Sequence, residues 1–394
     1  MPKRAGAGVE IKPFRVSVPQ TDLDDLHRRL AMTRWPDELP GAGWSYGIPL
    51  QYVKDLSAYW ATQYDWRKWE TQLNGLPQFI TSIDGQDIHF VHLRSTEPNA
   101  LPLLITHGWP GSVVELMKVI EPLADPRRFG GDPADAFHVV APSIPGYGFS
   151  GPTHEPGWDV KKIATAFLEL MARLGYDHYG TQGGDWGSVI SRQLGLMHPD
   201  RVVGSHYNTL AAMPSGDPDE MKLLTDKERS FLERGQRFQQ QGSGYYMIQG
   251  SRPQTLAYGL TDSPVGLLAW ISEKFSEWAD PASAIDRDQM LTNVSVYWFT
   301  GTINSAARLY AEFGRSGGGW GKVEPSTVPS GVAQFPYEIF PPIKRFAERS
   351  NNIVHWTEFE HGGHFAAMEQ PDLLVGDVRA FFGIVRRQRS VTKE

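Results

Sequence analysis

The sequence predicts an α/β fold: a mostly parallel central sheet, a helical cap inserted into it, and an N-terminal meander wrapped around the outside. Three observations carry that prediction. From Phe79 onward, short apolar runs alternate with amphipathic helical segments, the pattern of a parallel sheet covered on both faces. Between roughly Leu210 and Lys322 the alternation stops and helical patterns rich in Arg, Gln, Trp and Tyr take over. Strand texture then returns. The expected divisions are therefore an extension over 1–78, a first core segment over 79–209, a cap over 210–322 and a second core segment over 323–394.

Each element has its own signal. Before Gln78, DLDDLHRRLAMTRW and PLQYVKDLSAYWATQYDW read as short helices broken by Pro and Gly, too little to bury a core of their own. FITSIDGQDIHFVHLRS alternates as a hairpin turning at Asp84-Gly85. PLLITHG, FHVVAPSIPG, HYGTQGGD and VVGSHYNT follow as strands. VVELMKVIEPLA and VKKIATAFLELMARLG are the helices between them. The cap ends in GRSGGGWG, Gly314 to Gly321, a flexible-looking linker, before the strands VPSGVAQFP and IVHWTEFEHGG.

Composition removes several function classes. The chain has 394 residues, 40% of them hydrophobic and 12% aromatic, enough for a sizeable core. A net charge of -7, spread along the chain, argues against a nucleic-acid partner. The absence of cysteine excludes disulfides, thiolate metal sites and cysteine nucleophiles, and fits a reducing cytosol. MPKRAGAGVEIKPF lacks the apolar stretch of a signal peptide, and no apolar run reaches the length of a membrane span. A soluble, cytoplasmic protein is expected.

YGTQGGDWGSVI places Asp185 in a Gly-x-Asp-x-Gly setting, between a strand-like run and a helix-like one. A strand-to-helix elbow needs small residues around its central residue, because the backbone there is strained and the helix comes close. The usual occupant is serine. A serine that attacked an sp3 carbon would form an ether that water cannot undo, whereas a carboxylate forms an ester that activated water can cleave. Asp185 therefore points to displacement at an alkyl carbon, either epoxide opening or halide removal. The plain alternative is a helix N-terminus capped by Asp. HGWPGS, His107 to Ser112, follows the strand PLLIT, where the backbone N–H groups of Trp109 and Trp186 are candidate donors to an oxyanion; an ordinary Pro-Gly turn is its alternative. PSIPGYGFS, Pro142 to Ser150, reads as a structural turn.

HGWPGS, PSIPGYGFS, GGDWGS and a late GGHFAAMEQP, in that order, resemble the epoxide hydrolases of the microsomal type within the α/β-hydrolase fold, and the meander resembles that family's N-terminal extension. The resemblance covers nearly the whole chain. The sequence shows no counterpart of the family's membrane anchor, so the resemblance implies its soluble bacterial and fungal members as the expected branch. GGDPADAF looks similar to actinobacterial relatives that act in enediyne antibiotic pathways. The resemblance implies His364, the histidine before Phe365, as the base, with His361 its close competitor. It implies Glu338, at the Phe-Pro-x-Glu position, as the acid that orients His364. Glu358 and Glu360 also lie on the approach to His364, and the alternative acid position after VVGSHYNT holds only Asn208. An HGGH metal pair lacks a third ligand nearby.

Opening an epoxide expels an alkoxide, which needs a donor on the ring oxygen, and phenols suit this near neutrality. Tyr245 and Tyr310 match the family's cap tyrosines, with Tyr246 adjacent to the first. No cofactor or metal is required. Trp270, Phe275, Trp298 and Phe299 are candidate lining for an apolar or aryl pocket, and equally cap core. A small apolar epoxide is the expected partner, and a homodimer is expected from similar soluble members. Two other readings stand beside this one: a haloalkane dehalogenase using the same Asp and His, and a catalytically silent α/β-hydrolase module that binds without turnover.

Overall fold

The computed structural model describes residues 10–283, 285–318 and 324–391. Among these, nine strands form one sheet in the order β1-β2-β3-β5-β4-β6-β7-β8-β9. The strands are β1 (Lys12–Pro13), β2 (Gln78–Ile83), β3 (Gln86–Leu93), β4 (Leu101–Thr106), β5 (Phe137–Pro142), β6 (Tyr179–Gly183), β7 (Val202–Tyr207), β8 (Ser326–Gln334) and β9 (Asn351–Glu358). From β5 to β9 every neighbour runs parallel, while β1, β2 and β3 join antiparallel.

The hairpin turns at Asp84-Gly85, where both residues have positive φ (52° and 79°) and Ile83 pairs with Gln86. That is the two-residue turn the alternation calls for. β1 is a departure from the expected meander, because two residues of the extension pair with Phe79 and Ile80 and extend the sheet at its edge. Pro13 is tolerated because that strand has only one neighbour.

The extension otherwise contributes α1 (Gln20–Ala31), α2 (Leu50–Thr62) and α3 (Trp66–Leu73). The core helices are α4 (Met117–Ala124), α5 (Val160–Arg173) and α6 (Asp185–Met197). The stretch read as one helix from Val113 is a tight 3-10 turn over Val113–Leu116 followed by α4. Then come α7 (Pro218–Lys222), α8 (Asp226–Arg237), α9 (Gly244–Ser251), α10 (Pro253–Asp262), α11 (Pro264–Glu277), α12 (Arg287–Thr300) and α13 (Ile303–Arg315). Gly319 to Gly321 of the expected linker lie outside the described residues. Short α14 (Lys344–Ala347) and α15 (Ala366–Glu369) precede α16 (Pro371–Val391).

Two apolar layers flank the sheet. Leu103, Ile105, Val139 and Ala141 face α4 and α16 through Val119, Ile120, Phe381 and Phe382. Leu104, Val140, Phe167 and Ile190 pack on the other side with α5 and α6 and run on into the cap through Leu268, Ile271 and Val294. The extension is stitched to the cap by polar contacts. Trp60 Nε1–H donates to Ser295 Oγ (3.1 Å) and the Tyr59 hydroxyl to Asp288 (2.7 Å). Core, cap and extension thus share one continuous packed interior, and the seam between sheet and cap is where a pocket belongs. Among the described residues no helix is long and apolar enough to cross a membrane.

Candidate active site

Asp185 ends the run from β6 into α6 with φ at 47°, a left-handed conformation that an L-residue adopts only under constraint. The surroundings supply that constraint. A Cβ at Gly183 would overlap the Gly187 backbone, and one at Gly187 would overlap the Thr106 carbonyl. Strand, elbow and helix therefore meet at backbone contact, which explains the glycines around Asp185. The bend lifts the Asp185 side chain out of the packed interior, leaving it 21% exposed.

Trp109 N–H donates to Asp185 Oδ1 at 2.7 Å. The loop that presents it is fixed from below by His107. Ile144 N–H donates to His107 Nε2 (3.2 Å), so the ring proton sits on Nδ1, which faces the Gly108 carbonyl (3.1 Å). Burial pushes His107 down to about 4, so it stays neutral and keeps that tautomer.

His364 stands on the opposite side of the carboxylate. Its Nε2 is 3.6 Å from Asp185 Oδ2, and its Nδ1–H donates to Glu338 Oε1 (2.8 Å). Glu338 is fully buried and accepts two further bonds, from Thr209 Oγ1 (2.6 Å) and Ile339 N–H (2.7 Å). A buried carboxylate needs such partners to remain charged. Burial would by itself lower the His364 pKa, but the Glu338 and Asp185 carboxylates reverse this and hold it well above the ordinary imidazole value. The two flanking carboxylates thus favour the protonated form of the ring. Its backbone N–H donates to the Trp278 carbonyl (3.0 Å), and the Trp278 ring meets it edge-on at 5.2 Å.

Tyr245 on α9 and Tyr310 on α13 close the site from the cap. Tyr245 stacks on Trp109 (4.9 Å between centroids, 8° between planes), and Tyr310 meets Trp186 edge-on at 4.9 Å. The two phenol rings lie 6.0 Å apart, and both are buried. Burial first, and the Asp185 charge among the further causes, raise both phenols well above 10, so both keep their protons. Tyr246 is half-buried, 5.1 Å from the Tyr310 ring.

The competing residues lie elsewhere. His361 and Glu360 are exposed, and Glu358 is an exposed carboxylate paired with Lys227. Asn208 accepts from Gln182 Nε2 (2.9 Å). Among the described residues no group of three or more His, Asp or Glu is arranged to hold a metal.

The expected pocket aromatics divide. Phe275 packs on Phe365 (4.4 Å), next to His364, and Trp270 reaches Gln249 (3.3 Å) within the cap. Trp298 faces the extension instead, with the Arg29 guanidinium 5.8 Å from its ring, and Phe299 packs on Trp66 (5.0 Å). These two follow Tyr297, whose hydroxyl bonds the Gly111 carbonyl (2.7 Å), and so leave α12 in other directions.

Sequence reasoning missed two acids. The carboxyl of Glu115 fills the space a Cβ would take at Gly111, and burial pushes it up to about 8. Glu369 accepts from the N–H groups of Phe365 (2.9 Å) and Asp280 (2.7 Å), bracing the His364 loop, and burial pushes it up to about 7. Glu369 does stand inside GGHFAAMEQP, but nothing in its spacing reveals that role.

Two family models match the chain: "Epoxide hydrolase N terminus" over 11–116 and "alpha/beta hydrolase fold" over 102–264. A Stigmatella aurantiaca protein provisionally named an epoxide hydrolase is 46% identical over 381 residues, covering 95% of this chain and 86% of that one. Epoxide hydrolase 1 of Sus scrofa is 35% identical, covering 96% and 90%. Among solved structures, the epoxide hydrolase of Aspergillus niger superposes with a TM-score of 0.86 at 33% identity, over 95% of this chain and 97% of that one. The juvenile hormone epoxide hydrolase of Bombyx mori gives 0.88 at 31% identity, over 96% of each chain.

Proposed function

The chain belongs to the epoxide hydrolases of the microsomal type, and from that premise we propose that it converts an epoxide to a vicinal diol through a covalent ester on Asp185. The observation that carries the reading is the single line of contacts Glu338–His364–Asp185–Trp109, capped by two buried phenols.

Asp185 attacks an epoxide carbon in line, the carbon–oxygen bond of the ring breaks, and Tyr245 and Tyr310 hydrogen-bond the departing oxygen. A phenol proton passes to that oxygen. Asp185 is now a neutral ester, so His364 has lost one of the two anions that held its proton, and that proton is free to restore the phenol. The neutral imidazole then takes a proton from water, whose oxygen attacks the ester carbonyl. Trp109 N–H, already bonded to Oδ1, and the adjacent Trp186 N–H receive the oxyanion. Collapse expels the diol and returns Asp185 as a carboxylate beside an imidazolium. The substrate is a small epoxide of apolar or aryl character, because the rings around the two carboxylate partners are Trp109, Trp186, Trp278 and Phe365. The reading extends to a cytosolic homodimer, which sedimentation velocity would test.

A single turnover of styrene oxide in H2(18)O, with enzyme in excess, tests the route. The ester route puts the first label into the Asp185 carboxylate and leaves the first diol unlabelled. Label in that first diol means direct attack by water and rejects the ester. Chloride release from a chloroalkane, with no diol from styrene oxide, would instead favour a dehalogenase.

A further inference from the structure

One buried charge beside the site has no part in this chemistry. Lys274 lies in the last turn of α11 with its side chain only 5% exposed. Its ammonium stands over the Tyr245 ring, 5.1 Å from the centroid, and 5.8 Å from that of Trp278. An ammonium taken out of water needs compensation, which Glu273 and Glu277 on the same helix supply. Glu273 is in direct contact, and Glu277 Oε2 is 3.8 Å away. A methionine or leucine would fill the same volume without that cost. The cost is explained if the charge acts on Tyr245.

We propose that Lys274 is a positioning and tuning residue for epoxide opening: its ammonium holds the Tyr245 ring and stabilises the negative charge that gathers on the phenol oxygen as its proton moves to the ring oxygen. The inference rests on Tyr245 being a donor. In that step the Asp185–carbon bond forms, the ring carbon–oxygen bond breaks, the phenol proton goes to the released oxygen, and the phenolate remains until His364 reprotonates it. The other groups facing Tyr245 work against a phenolate or are neutral. Asp185 and Glu338 are carboxylates, whereas Tyr246 and Tyr310 are phenols, with the Tyr310 ring 6.0 Å from that of Tyr245. Besides His364, which lies between those two carboxylates, Lys274 is the cation that stands over the Tyr245 ring itself. Cations held over aromatic faces out of water interact strongly enough to matter on the scale of a rate.

The test follows formation and decay of the Asp185 ester by quenched intact mass in single turnovers with styrene oxide. Lys274→Met should slow ester formation about tenfold to a hundredfold while leaving ester decay within about twofold, since the phenols take no part in the second step. Lys274→Arg, which keeps the charge, should recover most of the rate. In a Tyr245→Phe background, Lys274→Met should have no further effect on ester formation, because the target of the charge is gone. A structural role alone would slow both half-reactions, or add to the Tyr245→Phe effect, and either result overturns the proposal. If Tyr245→Phe is slow but Lys274→Met forms ester at the wild-type rate, the tuning role falls and the donor role stands. If Tyr245→Phe itself forms ester at the wild-type rate, both fall. Should Lys274→Met not fold, Glu277→Gln removes an anion facing the ammonium and should speed ester formation; an unchanged or slower rate would contradict the proposal.

Discussion

At Asp185 the chain accepts a left-handed residue, and everything within contact distance is shaped to permit it. Gly187→Ala should therefore fail at the level of the fold, because its Cβ has no room beside the Thr106 carbonyl. A loss of about 3 kcal/mol or more is expected in chemical denaturation. Glu338→Gln is a different kind of change. It keeps the volume but removes the charge that holds the His364 proton on Nδ1 and steadies the imidazolium. Turnover should fall by about 10²–10⁴-fold with stability little changed, as steady-state kinetics and thermal unfolding would show together. At this scale the sequence was most informative where chemistry is local. GGDWG, HGWPG and GGHF each hold their candidate site residue within a few adjacent positions. Thr209, Glu115 and Lys274 reach the site only through long-range packing, so no spacing announces them.

Among the elements, the hairpin and the parallel strands were legible because period-two alternation and apolar runs are read directly from side chains. β1 was not, since two residues that include a proline carry no alternation at all. The aromatic residues of α12 were ambiguous for a related reason. Gln289 to Tyr297 are buried without interruption, so the helix has no polar face to orient it, and Trp298 turned out to face α1 rather than the site. The pinning of α16 to the sheet was equally hidden. Asp377 accepts from His206 of β7 (2.9 Å) and from His355 (2.8 Å) and Thr357 (2.5 Å) of β9. Burial alone would raise its pKa, but these hydrogen bonds overcome that and hold it below the usual carboxylate range. A carboxyl depressed in the native state gives stability that is complete above the unfolded value near 3.9 and is lost as pH falls toward the native one. Asp377→Asn should therefore cost on the order of 2–4 kcal/mol at neutral pH and flatten the fall in stability below about pH 4, measured by urea unfolding across that range.

Over the whole molecule, the extension behaves as part of the catalytic body rather than an appendage. Trp60 is buried among cap residues and bonds Ser295, Tyr59 reaches Asp288, and Tyr64 meets Thr292 (2.9 Å), all on α12. Tyr297 on that same helix holds the Gly111 carbonyl of the loop that carries Trp109. The extension thus supports the site through one intermediate helix. Trp60→Ala should destabilise the whole protein by about 3–5 kcal/mol in a single cooperative transition, not release the extension alone. A separate early transition in calorimetry would show that the extension folds independently.

The central claim is that Asp185 becomes an ester which only His364 can discharge. His364→Gln removes the base and leaves the nucleophile in place. Exposed to styrene oxide, that variant should gain the mass of one substrate, located on the peptide that carries Asp185, and keep it for many wild-type turnover times. An unmodified mass, from a folded variant whose wild-type parent is active, would contradict the account.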